Sequence, residues 1–323
     1  MKIIATSSEQ VKSIISREQI RENQEMYSYR AVIGHGLIDL KRTANFRGGA
    51  RYNAKRGEIS GFSESSRSRL LRMVACLNKE DIGLPLFITL TYPEIYPSNP
   101  EIWKDHLHNF RRELQRQWEG MAAIWRLEPQ ERGAPHYHLM VWGCEGLLKR
   151  KSWLSRKWFE VVGSGDLNHL KAGTSVEPAK RWRGVRSYVS KYLAKIEKGG
   201  KKQVFDYPVG RYWGVWNKPG LRIKTEEVEL TREEFNRARR IIRKYYESMQ
   251  RRKKAKKKQK RASMNQVGDN SGIWMMIPKD QGMRIIERPR QVTINQDARE
   301  SGPRHISHFA ESCREFRRWE LAA

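Results

Sequence analysis

The chain has 323 residues, and its 64 lysines and arginines against 36 acidic residues give a formal net charge of +28. A chain of this length can bury a sizeable core in one or two domains. A charge excess this large indicates a polyanionic partner, with nucleic acid as the first candidate. The three distant cysteines predict no disulfide framework and no zinc ribbon. With no convincing signal peptide and no membrane-spanning apolar run, we expect a cytoplasmic protein without a membrane partner.

The N-terminal segment and the first predicted helix differ in pattern. Residues 1–60 are basic and polar, with weak periodicity and several glycines, so we expect a segment that is partly ordered at best. From Ser63 to Leu77, leucine and valine recur at helical spacing, and either Ser63 or Ser65 is suited to cap the helix. The first regular element is therefore expected near residue 63.

A strand, a helix and a hairpin are predicted next. Leu86–Tyr92 is rich in β-branched and aromatic residues and is followed by proline, which predicts a buried strand. Pro100–Trp118 carries an apolar stripe at helical spacing, with arginines on its other side. Met121–Glu128 is predicted as a strand, and the turn composition of residues 129–135 predicts a hairpin to a further strand over Pro135–Trp142.

Two histidines stand one residue apart at the start of this last strand. Side chains alternate between the faces of a strand, so His136 and His138 point the same way. Folding the hairpin back near Arg132 brings Glu128 opposite His136, and a carboxylate then joins the two imidazoles. Such a set can hold Mg²⁺ or Mn²⁺ with positions left open for a substrate. The alternatives are surface histidines on an edge strand and a Glu128 that pairs with Arg132.

The rest of the chain alternates basic helices with short strands. The predicted helices cover Lys149–Val162 and Gly184–Lys198, and the predicted strands cover Thr174–Glu177, Gly210–Trp216 and Leu221–Leu230. A capping box at Thr231–Glu234 opens another helix, and the Arg251–Arg261 run is a solvated tail or a nucleic-acid arm. These patterns divide the chain into an N-terminal segment, a central domain, a basic helix and a loosely ordered C-terminal extension, at residues 1–60, 61–225, 226–263 and 264–323.

Paired tyrosines mark the predicted helix over Gly184–Lys198. Tyr188 and Tyr192 are four residues apart and share one face, and Lys191 and Lys195 each follow a tyrosine by three residues. An ammonium favours the phenolate form of a neighbouring tyrosine and can contact a phosphate, so these residues are candidates for nucleophilic catalysis. The alternative is an ordinary amphipathic helix with half-buried rings.

The histidine and tyrosine clusters together predict phosphodiester chemistry. A metal site polarises a scissile phosphate, and a tyrosine hydroxyl that attacks phosphorus releases a 3′ hydroxyl and forms a phosphotyrosine link. That link conserves the energy of the broken bond, so rejoining needs no ATP. The second tyrosine can attack while the first still holds a strand end.

Aromatic rings within the basic text are candidates for stacking on single-stranded DNA, which is worth about 1–3 kcal/mol per base. Trp153 lies near Arg156 and Lys157 in one such segment. The other candidate DNA-binding residues are Arg181, Trp182, Arg183, Arg211, Tyr212, Trp213, Arg251, Arg252, Lys253 and Lys254. The alternative is that most of the tryptophans belong to the core.

Over residues 63–250 the sequence resembles the HUH endonucleases, in particular two-tyrosine rolling-circle replication initiators of bacteriophages and plasmids. Phe87–Thr91 is similar to the first strand motif of that family, and Pro135–Leu139 matches its His-hydrophobe-His motif. Tyr188–Lys195 resembles the two-tyrosine motif, and Gly210–Gly214 resembles a segment that follows the tyrosine helix. Relatives commonly complete the metal site with a carboxylate placed as Glu128 is here.

The resemblance implies an α+β fold, with a five-stranded antiparallel sheet and flanking helices like an RNA-recognition motif, to which this chain adds a basic helical C-terminal extension. It implies Mg²⁺ or Mn²⁺ on His136, His138 and Glu128, with Tyr188 attacking first and Tyr192 second. The expected setting is a bacterial host cytoplasm, where the partner is single-stranded or hairpin origin DNA. No Gly-x4-Gly-Lys-Ser/Thr motif is present, so a host helicase and polymerase are expected.

Other activities remain open on the sequence. A transposase or relaxase of the same fold would use identical chemistry on a different DNA target. An oxygenase with a two-histidine, one-carboxylate iron site is opposed by the positive charge and by the tyrosine helix. A nucleic-acid-binding protein without catalysis is the third alternative.

Overall fold

The computed structural model describes residues 26–45, 59, 61–182, 185, 188–189, 205–254 and 272–295. The described strands are β1 (Tyr27–Gly34), β2 (Leu37–Ala44), β3 (Leu86–Thr91), β4 (Ala122–Pro129), β5 (Pro135–Trp142), β6 (Thr174–Pro178), β7 (Trp213–Trp216), β8 (Thr225–Leu230) and β9 (Gly272–Met275). The described α-helices are α1 (Glu64–Ala75), α2 (Lys79–Ile82), α3 (Pro100–Gln117), α4 (Lys151–Val162), α5 (Leu167–Ala172), α6 (Arg232–Lys254) and α7 (Lys279–Asn295). Short 3₁₀ helices lie at Leu147–Arg150 and Lys218–Leu221.

The chain divides into two compact units, and each has its own sheet. One unit is continuous and spans Ala54–Lys224, whereas the other combines Met1–Asn53 with Thr225–Ala322. The continuous unit carries a five-stranded sheet in the order β6-β3-β5-β4-β7, and the second unit carries a four-stranded sheet in the order β8-β1-β2-β9.

The five-stranded sheet confirms the predicted α+β fold. Every neighbouring pair in it is antiparallel. Along the chain, β3, α3, β4, β5, α4 and β6 follow one another as β-α-β-β-α-β, the split arrangement of ferredoxin-like and RNA-recognition folds. This order puts β3 and β5 at the centre of the sheet, with β7 added beside β4.

One face of the five-stranded sheet is covered by α3 and α4. Helix α3 begins after Asn99, whose side chain accepts a hydrogen bond from the backbone of Glu101, and it has proline in its first turn. Its apolar stripe is buried, as its spacing predicts, and the stripe consists of Trp103, Leu107, Phe110 and Leu114. These side chains pack with Leu139 of β5 and Trp158 of α4 in one core cluster.

The opposite face of the sheet is apolar at one end only. Helix α1, capped by Ser63, buries Leu70 in a cluster with Ile124, Met140 and Trp142, which come from the far ends of β4 and β5. The hairpin end of the same two strands carries polar side chains instead. This division leaves one end of the face for a functional site.

The four-stranded unit contains regular structure that we did not predict. Residues 27–44, expected to be partly ordered at best, form the antiparallel hairpin β1–β2. Strand β9 and helix α7 lie within the C-terminal extension, which we expected to be loosely ordered. The remaining partners of the hairpin are β8 and β9, nearly 200 residues or more away in sequence. A sheet assembled from such distant strands leaves little local pattern to detect.

The helices of this unit complete an apolar core. Helix α6 buries Phe235, Ala238 and Ile242 against β1 residues that include Ile33, and α7 adds Ile286 to the cluster. The predicted capping box is confirmed: the backbone of Glu234 donates to Thr231 Oγ1 at 3.2 Å, and the backbone of Thr231 donates to Glu234 Oε2 at 2.9 Å.

Candidate active site

Three metal-ligating side chains meet at the hairpin end of the five-stranded sheet. Glu128 of β4 lies directly opposite His136 of β5, which is the predicted register. Glu128 Oε1 is 2.8 Å from His138 Nε2. The possible ligand atoms of Glu128, His136 and His138 all lie within 4.8 Å of one another. The hairpin therefore brings together the three residues that the sequence predicted.

Burial sets the protonation state of these three groups. Burial alone would raise the pKa of Glu128, but the hydrogen bond and charge of His138, together with the Arg126 charge, outweigh it and lower the pKa. Burial and the neighbouring His138 lower the pKa of His136 to about 4. A carboxylate beside a neutral imidazole is the state that a metal ion requires, since ligands must be deprotonated.

The residues fit a divalent cation. Glu128 Oε2 is buried and has no hydrogen-bond partner among the residues that the structure describes. A buried carboxylate oxygen without a donor is costly, and a cation would satisfy it. One carboxylate and two imidazoles match the ligand preferences of Mn²⁺ and related ions, but they do not determine which ion binds.

Thr91 orients the second histidine. It is the last residue of β3 and the register partner of His136, and its Oγ1 is 3.3 Å from His136 Nδ1. A hydrogen bond at Nδ1 leaves Nε2 as the ligand atom of that ring. The first strand motif therefore contributes a side chain to the site.

Arg126 is a buried charge at this site that the sequence analysis did not identify. It is 1% exposed, it lies opposite His138 across β4 and β5, and its guanidinium stacks 3.7 Å above the Phe62 ring. Burial lowers its pKa to about 10, although the nearby Glu128 charge acts in the opposite direction. The available signal was a charged residue two positions before Glu128 in a strand, which places both on one face.

Tyr188 reaches the metal-ligating cluster from the tyrosine helix. Its hydroxyl is 3.3 Å from His138 Nδ1, and its ring stacks on Phe87 of β3 with centroids 3.9 Å apart and planes at 10°. A candidate nucleophile and a candidate metal ligand are thus in direct contact. Tyr192, Lys191 and Lys195 lie outside the described residues.

The candidate DNA-binding residues are dispersed in burial. Arg181 and Arg211 are exposed and Trp182 is half-buried. Tyr212 is only 2% exposed and packs near Phe205 in the core, which corrects the expectation that its ring stacks on a base. Trp213 is half-buried, and its indole N–H donates to Ser66 Oγ at 2.8 Å.

The rest of the predicted DNA contacts are partly engaged or undescribed. Trp153 packs edge-on against Trp118, with the Arg150 guanidinium 4.9 Å from its ring centroid. Lys157 forms ion pairs with Glu113 and Glu160. Arg251, Arg252, Lys253 and Lys254 form the last turn of α6, but their side chains are not described, and Arg183 lies outside the described residues. Among the described helices, none is long and apolar enough to cross a membrane.

Comparison with known proteins points to replication. Residues 85–197, which hold β3, the hairpin and the tyrosine helix, match the family model for replication-associated proteins of the ORF2 type. A protein of Xylella fastidiosa (strain Temecula1) that carries the name of a replication protein is 26% identical over 170 residues, which cover 49% of this chain and 61% of the relative. A replication-associated protein of Pseudomonas phage Pf3 is 25% identical over 209 residues, which cover 61% of this chain and 72% of the phage protein.

These matches are distant and partial. The chain spans less than two thirds of the Xylella relative, and the family match covers about a third of the chain. No solved structure matches the chain. The family match and the two relatives together support a replication-associated protein of the phage or plasmid type.

Proposed function

We propose that the protein nicks and rejoins single-stranded DNA by tyrosine attack, and so initiates and terminates rolling-circle replication of a phage or plasmid. The observation that carries this proposal is the contact between Tyr188 and His138, whose other ring nitrogen lies 2.8 Å from Glu128. A phenol joined to a two-histidine, one-carboxylate cluster suits attack on a metal-polarised phosphate. The matches to replication-associated proteins support the biological setting.

Glu128, His136 and His138 would hold Mg²⁺ or Mn²⁺, which supplies charge stabilisation at the scissile phosphate and at the leaving oxygen when it is bound. His136 would bind through Nε2, because Thr91 engages Nδ1. His138 would bind through Nε2 as well, so its neutral ring carries the proton on Nδ1. That proton then faces the Tyr188 oxygen and favours the phenolate by donating to it.

The reaction exchanges one phosphate ester for another. The Tyr188 phenolate attacks phosphorus, its proton having passed to solvent, and a phosphorus–oxygen bond to tyrosine forms. The bond from phosphorus to the 3′ oxygen breaks, and that oxygen takes up a proton to become a primer hydroxyl. The product is a 5′-phosphotyrosine. Tyr192 acts as the second nucleophile for strand transfer, and Lys191 and Lys195 contact the phosphate.

Sequence-independent contacts would come from the basic surface. Exposed Arg181 and Arg211, with half-buried Trp182 and Trp213, are the described candidates for the DNA strand. Arg183 and the run from Arg251 to Lys254 would add phosphate contacts whose strength falls with salt. The partner is single-stranded or hairpin origin DNA, and a host helicase and polymerase extend the released primer.

Covalent trapping tests the proposed chemistry. End-labelled single strands that tile the replicon carrying this gene are incubated with protein and Mn²⁺, with and without EDTA, and protein–DNA adducts are separated on denaturing gels. We expect an adduct that requires Mn²⁺ and disappears in Tyr188→Phe/Tyr192→Phe. Tyr207→Phe, at an exposed tyrosine, is the matched control.

Two results would overturn parts of the proposal. An adduct that persists in Tyr188→Phe/Tyr192→Phe would reject the nucleophiles. Nicking that persists in His136→Ala/His138→Ala would reject the metal centre.

A further inference from the structure

The backbone of Thr91 is held by side chains from two helices. Its carbonyl oxygen accepts hydrogen bonds from Trp158 Nε1 of α4 at 2.8 Å and from His169 Nε2 of α5 at 2.9 Å. Its N–H donates to the carbonyl of Gly173 at 2.8 Å. Thr91 ends β3, so its backbone would otherwise be prone to fray. Three hydrogen bonds at one strand-terminal residue fix its position closely.

His169 is itself held in one orientation. It is 4% exposed, and its Nδ1 lies 2.8 Å from Ser164 Oγ. The carbonyl of Thr91 can only accept, so Nε2 carries the proton and Nδ1 accepts from the serine hydroxyl. Gly173 closes the ring in, because a Cβ there would lie 2.4 Å from His169 Cδ2. The imidazole therefore has one tautomer and little room to turn.

These contacts continue into the candidate metal site. The Thr91 hydroxyl is 3.3 Å from His136 Nδ1, so an unbroken path runs from His169 through the Thr91 backbone to a proposed metal ligand. His169 does not belong to the ligand cluster, and the proposed reaction does not use it.

We propose that His169 is a positioning residue: by holding the Thr91 carbonyl, it keeps the Thr91 hydroxyl on His136 Nδ1 and so presents His136 Nε2 to the cation. This inference rests on the proposed metal site and adds a residue that acts on that site indirectly. Outer-sphere partners of metal-bound histidines fix the tautomer and the ring orientation, and their loss typically lowers metal affinity about 10–100-fold. Because His169 acts one step further out than Thr91, its loss should have the smaller effect.

A double-mutant cycle on Mn²⁺ affinity tests the path. Titration calorimetry without DNA is performed on full-length wild type, Thr91→Val, His169→Leu and the double variant. We expect about a 10-fold loss in Thr91→Val, a several-fold loss in His169→Leu, and no further loss when His169→Leu is added to Thr91→Val. A purely structural role for His169 would produce the same loss in both backgrounds.

Conservative replacements separate positioning from folding. His169→Gln keeps an N–H that can reach the Thr91 carbonyl, so it should recover most of the Mn²⁺ affinity that His169→Leu loses. Thr91→Ser keeps the hydroxyl and should bind Mn²⁺ almost as wild type does. Thermal melting of each variant verifies that the compared proteins are folded.

The outcomes distinguish this inference from the proposed function. If wild type binds no Mn²⁺, the metal centre itself is rejected. If wild type binds Mn²⁺ and His169→Leu binds equally well, or loses affinity equally with and without the Thr91 hydroxyl, the positioning role is rejected while the metal centre stands.

Discussion

The two sheets of this protein treat buried charge in opposite ways. The five-stranded sheet buries Arg126, Glu128 and His138 together at one end of one face. The described core of the four-stranded sheet is an apolar cluster, and Asp39 is the one buried charged residue among the described parts of that unit.

The difference separates stability from function. Burying an ionic group costs free energy unless it is paired or binds a metal, and well-packed apolar residues often do as well or better for stability. The four-stranded sheet therefore has the composition expected of a unit that gains its stability from packing. The charged end of the five-stranded sheet is better explained by chemistry than by folding.

The largest expected effect is on the apolar unit. Phe235→Ala removes a side chain that is 1% exposed in the core of the four-stranded unit, and it should lower the free energy of unfolding of that unit by about 3–5 kcal/mol. Urea unfolding measures the loss, with Lys244→Ala on the exposed side of α6 as the control. Mn²⁺ affinity at low temperature should not change. A large change in Mn²⁺ affinity would show that the two sheets do not divide stability and function.

The reciprocal substitution lies in the charged cluster. Glu128→Gln keeps the shape of the side chain but removes a ligand charge, so it should lower Mn²⁺ affinity at least about 10–100-fold, since loss of an outer-shell partner alone typically costs that much. Calorimetric titration measures the affinity, and Glu131→Gln, in the exposed hairpin loop, is the control. Stability in metal-free buffer should fall little, because the buried charge is removed together with its interactions. Unchanged Mn²⁺ affinity would contradict the role of Glu128.

Acid should weaken the charged unit specifically. The pKa of His136 is lowered in the folded protein to about 4 from its ordinary value of 6.5, so the unfolded chain binds this proton at higher pH than the folded one does. The stabilising contribution is fully present above pH 6.5 and is lost as the pH falls towards 4. Melting curves of metal-free protein over this range should show the loss, and His136→Asn should flatten it. An equal slope in the variant would assign the pH dependence to other groups.

The smallest expected effect returns to the apolar unit. Thr231→Ala removes the side-chain half of the capping box of α6 and should destabilise that unit by about 1 kcal/mol. Thr231→Ser keeps the hydroxyl and should restore most of the stability. Urea unfolding measures both variants, and a Thr231→Ala protein as stable as wild type would mean that this cap contributes nothing.

The elements that the sequence predicted well are those whose signals are local. Helix α3 announces itself by an apolar stripe at helical spacing, and α6 by its capping box. The hairpin of β4 and β5 joins strands that are adjacent in the chain, so alternation alone placed Glu128 opposite His136. The candidate metal ligands were therefore available from the sequence.

Non-local contacts were not available in this way. The Tyr188 hydroxyl meets His138 across 50 positions, and His169 reaches the Thr91 carbonyl across 78. Tyr212 has the sequence surroundings of a DNA-binding ring, yet it is buried because core residues distant in sequence pack around it. Periodicity states which face a side chain takes, but it does not state what covers that face.

By itself, the sequence determined the secondary structure of the five-stranded unit, the face that His136 and His138 share, and the identity of the candidate nucleophile. Only the tertiary structure decided that β1, β2, β8 and β9 form a second sheet, that Arg126 is buried beside the site, and that His169 supports it from behind. The physical reason is that backbone geometry fixes short-range neighbours, whereas long-range neighbours are fixed by the packing of the whole unit.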